Sequence, residues 1–273
     1  MQTVIELRKK VKGQSFPQIV HTTISDRKFL ARLIYTDMTK VFYSLNLIRY
    51  RLRYPNVNFG SDVKIRGSFS IKGNGQVEIG NNCAFLGNKN LQNKLITGDA
   101  TSKITIGNNC VFKGTTLSIE ENGQIEIGHS CSFAVNSFIP NQVLIQDKEA
   151  KVSIGDYCYF NGATVMAKKY IEFKRQCLVS DSMIVDTNYH SVEINRMAPN
   201  AKEKVKPIYV GENVWLGSRS VIMKGVSIGN NSVIGLGTIV RQPVPENVIV
   251  IGNPQQIVKK LDTNIPPYIC SEV

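Results

Sequence analysis

One short pattern returns along this chain and excludes most folds. It reads Ile79-Gly-Asn-Asn-Cys83, Ile106-Gly-Asn-Asn-Cys110, Ile127-Gly-His-Ser-Cys131 and Ile154-Gly-Asp-Tyr-Cys158, then Val210-Gly-Glu-Asn-Val214 and Ile228-Gly-Asn-Asn-Ser232. Six residues beyond each aliphatic start stands another apolar residue: Phe85, Phe112, Phe133, Phe160, Leu216 and Ile234. The run Val210, Leu216, Ile222, Ile228, Ile234, Val240 keeps the six-residue step throughout. A helix of 3.6 residues per turn would carry these positions around its surface. A six-residue step instead suits a short straight side followed by a turn, repeated. Three sides close a triangular coil of eighteen residues, the span from Val210 to Ile228.

Coil starts at Phe59, Ile79, Ile106, Ile127, Ile154, Phe173, Val210 and Ile228 predict about eight coils. Intervals longer than eighteen should throw loops out from corners. The longest interval, from Phe173 to Val210, places a protruding loop at about Ser191 to Lys206. A long loop on a regular scaffold is where function concentrates. The expected organisation is a basic, largely helical segment at 1–55, a coiled domain at 56–254 and a C-terminal extension at 255–273.

Of 273 residues, 42% are hydrophobic and 20% charged, which excludes a disordered or collagen-like chain. No apolar run reaches the ~20 residues that cross a bilayer. The first twenty residues lack the apolar block of a signal peptide, so a cytoplasmic setting is expected. Residues 1–55 hold eleven Lys and Arg against three acids, which is +8 of the total +12. Within them Phe29, Leu30, Leu33, Ile34, Met38, Val41, Phe42, Leu45, Leu47 and Ile48 recur at helical steps. Ser25 or Asp26 would cap this amphipathic helix, and Pro55 would end the pattern. It reads either as a cap on the coiled domain or as a basic surface meeting the inner face of an anionic membrane. No nucleic-acid-binding motif accompanies its tyrosines, so a nucleic-acid partner is not expected.

Five of the six cysteines, Cys83, Cys110, Cys131, Cys158 and Cys177, occupy the fifth position of the hexapeptide, where Val, Ser and Thr stand elsewhere. They read as small interior residues. No zinc-ligand spacing emerges, and no metal is expected. Among three histidines, His129 reads as a solvent-facing turn residue. His190 stands where the repeat breaks into the long loop.

The stretch Ile184-Val-Asp-Thr-Asn-Tyr-His190-Ser, the extruded loop, and Pro207-Ile-Tyr-Val-Gly-Glu-Asn-Val-Trp215-Leu-Gly-Ser218 resemble the hexapeptide-repeat acetyltransferases that act on sugars and polysaccharides. That family folds as a left-handed parallel β-helix, all-β, and the resemblance extends from about Phe59 to Ile251. It implies an enzyme that moves acetyl from acetyl-CoA to a hydroxyl of a surface-polysaccharide or lipid-linked sugar. The close rival is N-acetylation of an amino sugar, and a reading from another class is a non-catalytic scaffold. A homotrimer is implied, because family sites form between subunits.

By the same resemblance His190 is the general base, a task imidazole suits near neutral pH. Related sequences often carry Asp two residues before this histidine; here that place holds Asn188. A carboxylate orienting His190 would then be Asp186 or Glu193. Trp215 is expected to face outward near His190 and, with Asn188, to hold substrate. Gly217, Ser218, Gly235, Leu236, Arg241 and Lys259 are the matching coenzyme-binding positions, with Leu236 where a small residue is usual.

Overall fold

The computed structural model describes residues 43–135, 139–264, 268 and 270. Two compact units divide after Tyr50. A helix covers 43–53, ending just before Pro55 as expected, and the rest of the predicted helix lies outside the described residues. In this helix Leu47 is buried, whereas Leu45, Ile48 and Leu52 are exposed.

The second unit is a parallel β-helix with three faces. Eight strands form the first face, from Val57–Phe59 to Ser227–Ile228, and each ends on one of the eight predicted coil starts. The second face has ten strands, Lys64–Arg66 through Gln256–Lys260, and the third has eight, Phe69–Lys72 through Ile239–Val240. Pairing is parallel and in register, so equivalent residues stack: Ile79 on Ile106, Ile106 on Ile127, Ile127 on Ile154. Among the strands described, the last pair, Val248–Ile251 with Gln256–Lys260, is antiparallel. There, after Gly252-Asn-Pro254, the chain turns back along the second face.

Stacking at the strand spacing builds the core. Phe85, Phe112, Phe133 and Phe160 lie ring on ring at 5.0, 4.8 and 5.0 Å, and Phe173 meets Phe160 edge-on at 5.2 Å. The corner between the first and second faces explains the pentapeptide. A Cβ on Gly80 would sit 2.6 Å from the carbonyl carbon of Gly107 in the next coil, so only glycine lets the coils approach. Two residues on, Asn82, Asn109, Ser130, Tyr157 and Gln176 adopt positive φ, which Asn tolerates best. The cysteine that follows turns inward. Cys83, Cys110 and Cys131 each point a thiol at the carbonyl of Gly107, Gly128 and Gly155, all at 3.1 Å.

His129 corrects the expectation of a simple solvent-facing residue. It is half-buried, and its Nδ1 accepts the Asn108 amide at 3.0 Å, while its own amide donates to Asp156 Oδ1 at 2.7 Å. It is one rung of a corner ladder that Asn81 and Asn108 also build.

Candidate functional site

After Met183–Val185 on the third face the chain leaves the coil, and it returns at Ile208–Val210 on the first. The loop between them therefore springs from the third-to-first corner. Its root is a two-stranded clasp: Thr187 bridges Val205 antiparallel, the Asn188 amide donates to Lys204 O at 3.2 Å, and the Lys206 amide to Asp186 O at 2.9 Å.

Asp186 is buried beneath this clasp. Its Oδ1 accepts the Lys168 amide at 2.8 Å, and its Oδ2 accepts those of Lys169 and Tyr170 at 2.8 and 2.9 Å. Burial pushes its carboxyl above the ordinary carboxylate range, against the pull of these amide donors. The carboxylate thus organises the corner under the loop, and no hydrogen bond joins it to His190 among the described residues. Glu193, the other expected partner, is exposed in the loop and its amide donates to Ser191 Oγ at 3.2 Å.

Two residues not singled out from sequence shape the surroundings of His190. Glu203 Oε1 lies 2.5 Å from Lys168 Nζ, and its Oε2 accepts the Thr187 hydroxyl at 2.7 Å. Burial alone would raise its carboxyl. Hydrogen bonds from Lys168 and Thr187, with the charges of Lys168 and His190, hold it below the usual range instead. Glu203 is therefore a carboxylate within electrostatic reach of His190. Tyr189 adopts φ 62° and folds back over the third face, where its hydroxyl bonds Gln146 Oε1 and lies 3.0 Å from Met166 Sδ. A bulky residue in this conformation is rare and needs support from its surroundings. The turn there lays Tyr189 against the third face and leaves His190 exposed at the corner. Adjacency to His190 was the one sequence clue to Tyr189; Glu203 had none.

Trp215 faces outward, half exposed, as expected. It stands on the second face, in register with Leu178 below and Val233 above. That face lies opposite the third-to-first corner, so one chain does not bring Trp215 beside His190. Gly217, Ser218, Gly235 and Leu236 do gather, stacked on two successive coils at the second-to-third corner. A Cβ on Gly217 would lie 2.8 Å from Ile234 O and 2.9 Å from the Leu236 nitrogen, so the close approach requires glycine. The Gly237 amide donates to Ser218 O at 2.9 Å, and Leu236 projects into solvent. Arg241 lies apart, at the third-to-first corner above His190, with its amide on Gln255 Oε1 at 2.6 Å. Lys259 lies on the antiparallel edge strand opposite Ile249. Two edges of the third face are thus marked, one by the glycine corner and one by His190, with Met183, Val221, Met223 and Ile239 turned outward between them.

Residues 207–242 match the family model described as the hexapeptide repeat of succinyl-transferase. A Staphylococcus aureus (strain COL) protein named as an acetyltransferase is 41% identical over 64 residues, covering 23% of this chain and 32% of the relative. The galactoside O-acetyltransferase of Lactococcus lactis subsp. lactis is 36% identical over 88 residues, covering 32% and 42%. The chain thus spans about a third to two fifths of the length of these relatives. Among solved structures, the hexapeptide-repeat acetyltransferase of Vibrio cholerae O1 biovar eltor, complexed with acetyl coenzyme A, aligns with TM-score 0.40 and 24% identity, over 50% of this chain and 71% of that one. The matched segment, 207–242, is a hexapeptide-repeat segment, and it includes Trp215, the glycine corner and Arg241.

Proposed function

We propose that this protein transfers an acetyl group from acetyl-CoA to a hydroxyl of a surface-polysaccharide or lipid-linked sugar, with His190 as general base. The observation that carries the reading is the pairing of an exposed histidine at one edge of the third face with a glycine-built corner at the other. Acetyl-CoA is the donor substrate. Gly217, Ser218, Gly235 and Leu236 would take its pantetheine arm through backbone groups, and the Ser218 and Leu236 amides donate to no other described residue. Arg241 and Lys259 would meet its phosphates.

In the reaction the acceptor oxygen attacks the thioester carbonyl while its proton passes to the imidazole of His190. The C–S bond breaks as the tetrahedral oxyanion collapses, and the imidazolium returns the proton to the departing thiolate. Asp186, Asn188 and Glu203 act through the loop root, which sets where His190 stands. An amine acceptor would follow the same course, and N-acetylation is the second reading. Galactoside O-acetyltransferase stands among the sequence relatives, which favours the hydroxyl.

The working assembly is a homotrimer. Tyr159, Leu178 and Trp215 form an exposed in-register column on the second face, and Val192, Ile194 and Met197 expose apolar side chains on the loop. Packing one copy's loop against another's second face would cover both sets and bring His190 towards a neighbour's Trp215. The basic N-terminal segment would hold the protein to the inner, cytoplasmic face of an anionic membrane. Leu45, Ile48 and Leu52 are exposed beside Arg49 and Arg53, and no described helix is long and apolar enough to cross a membrane.

Calorimetric titration with acetyl-CoA tests the reading. Saturable binding by the wild type, retained by His190→Ala and weakened by a Gly217→Val corner variant, is expected. A scaffold would bind nothing.

A further inference from the structure

The first face changes character along its length. Its lower coils carry cross-coil ion pairs, Glu78 with Lys103 at 2.9 Å and Glu126 with Lys151 at 2.6 Å. At the level where the loop leaves the coil, the outward positions become Tyr170, Glu172 and Tyr209. The two tyrosine rings lie 5.8 Å apart, tilted by 60°. Glu172 stands in register beside Tyr209. Above them a groove of about 500 Å³ opens between Tyr209, Ser227, Asn230, Pro243 and Pro245, with Glu172 and Lys174 on its lower wall.

This surface is continuous with the root of the His190 loop. Asp186, under that root, holds the amide of Tyr170 at 2.9 Å. The returning end of the loop, at Lys206, is three residues from Tyr209. The strands that carry Tyr170 and Tyr209 are thus both tied to the root of the His190 loop.

We infer that Tyr170, Glu172, Tyr209 and the groove above them form a docking subsite for a neutral oligosaccharide segment, away from the sugar that reacts. The inference rests on a glycan being the acceptor. Tyrosine rings offer an apolar face to the C–H face of a pyranose and a hydroxyl at the rim. The Glu172 carboxylate, Ser227 and Asn230 supply acceptors and donors for sugar hydroxyls. Few polar groups among aromatic and Pro surfaces is the usual make-up of a small-molecule cleft. The subsite gives the acceptor a second foothold, so a longer glycan binds better than a single sugar.

The test is equilibrium binding of malto-, cello- and chito-oligosaccharides, from monosaccharide to hexasaccharide, to the full chain. It compares wild type, Tyr209→Ala, Glu172→Gln and, on the lower part of the same face, Lys103→Ala. Thermal melting confirms that each variant is folded. The subsite predicts affinity that rises with chain length, falls about tenfold in Tyr209→Ala and is unchanged in Lys103→Ala. Absence of wild-type binding across the series, or equal binding by Tyr209→Ala, overturns it. So does a change of oligomeric state in Tyr209→Ala, which would make this face a subunit contact. Acetyl-CoA titration of the same samples is read separately. Loss of oligosaccharide binding with acetyl-CoA binding intact removes the subsite alone, and the reverse removes the acetyl-transfer reading alone.

Discussion

Glu203 Oε2 accepts the hydroxyl hydrogen of Thr187 at 2.7 Å, joining the strand that returns from the loop to the strand that enters it, three residues before His190. The same carboxylate meets Lys168 Nζ at 2.5 Å, so the loop root is tied to the coil below as well.

Replacing Glu203 with Gln should loosen this clasp. The carboxyl is held below its ordinary range. Its stabilising effect is therefore present above the unfolded pKa and is lost as pH falls through the folded one. Hydrogen exchange at the Asn188 and Lys206 amides reports the clasp. Protection should drop about tenfold in Glu203→Gln at neutral pH, as expected for loss of a charge-assisted hydrogen bond. The wild type should lose the same protection only in acid, below the usual carboxylate range. Equal protection in both proteins at neutral pH would place the clasp elsewhere.

Asp186→Ala should act on the fold first. It leaves the amides of Lys168, Lys169 and Tyr170 without their acceptor, at a cost of at least about 3 kcal/mol. Denaturant unfolding measures this. His190→Ala, at an exposed site, should leave the midpoint unchanged. A midpoint for Asp186→Ala as high as wild type would mean that the corner does not depend on its carboxylate.

The stacked thiols should be inert. Cys110 is pushed up to about 12, first by its hydrogen bonding with Cys131 and further by burial, and Cys83, Cys131 and Cys158 are raised too. The thiolate is the nucleophile, so a raised thiol reacts slowly. Iodoacetamide at mildly alkaline pH should modify Cys270, which is half-exposed, and spare the other five until the chain is unfolded. Rapid labelling of a ladder cysteine in the folded protein would contradict the stacking.

Phe133 is the middle of the ring stack, with a neighbour at 4.8 Å on one side and 5.0 Å on the other. Phe133→Ala opens a cavity on both, and about 3–5 kcal/mol of stability should go with it. Phe133→Leu, which refills much of the space, should recover most of the loss in the same unfolding experiment.

Much of this architecture was readable from one periodicity. A narrow interior tolerates the same kinds of residue at each level, so Phe59, Ile79 and the other coil starts had to recur, and each now ends a first-face strand. The loop was legible as the place where that recurrence stops. Its root was not, because Glu203 meets Lys168 across 35 residues of sequence and no local pattern records such a pair. Tyr189 was missed because its left-handed backbone is imposed by packing on Gln146 and Met166, which its sequence neighbours do not reveal. Trp215 lies one coil on from His190 but on another face. Five residues past Val210, Trp215 is already on the second side.

His190 is proposed to serve acetyl transfer to a glycan. The most direct measurement is mass spectrometry of the acetyl content of glycans from cells carrying wild-type protein or His190→Ala at equal abundance. General-base catalysis contributes about a hundredfold or more. A glycan species heavier by one acetyl group should therefore be present with the wild type and nearly absent with the variant. Equal acetylation in the two would contradict it.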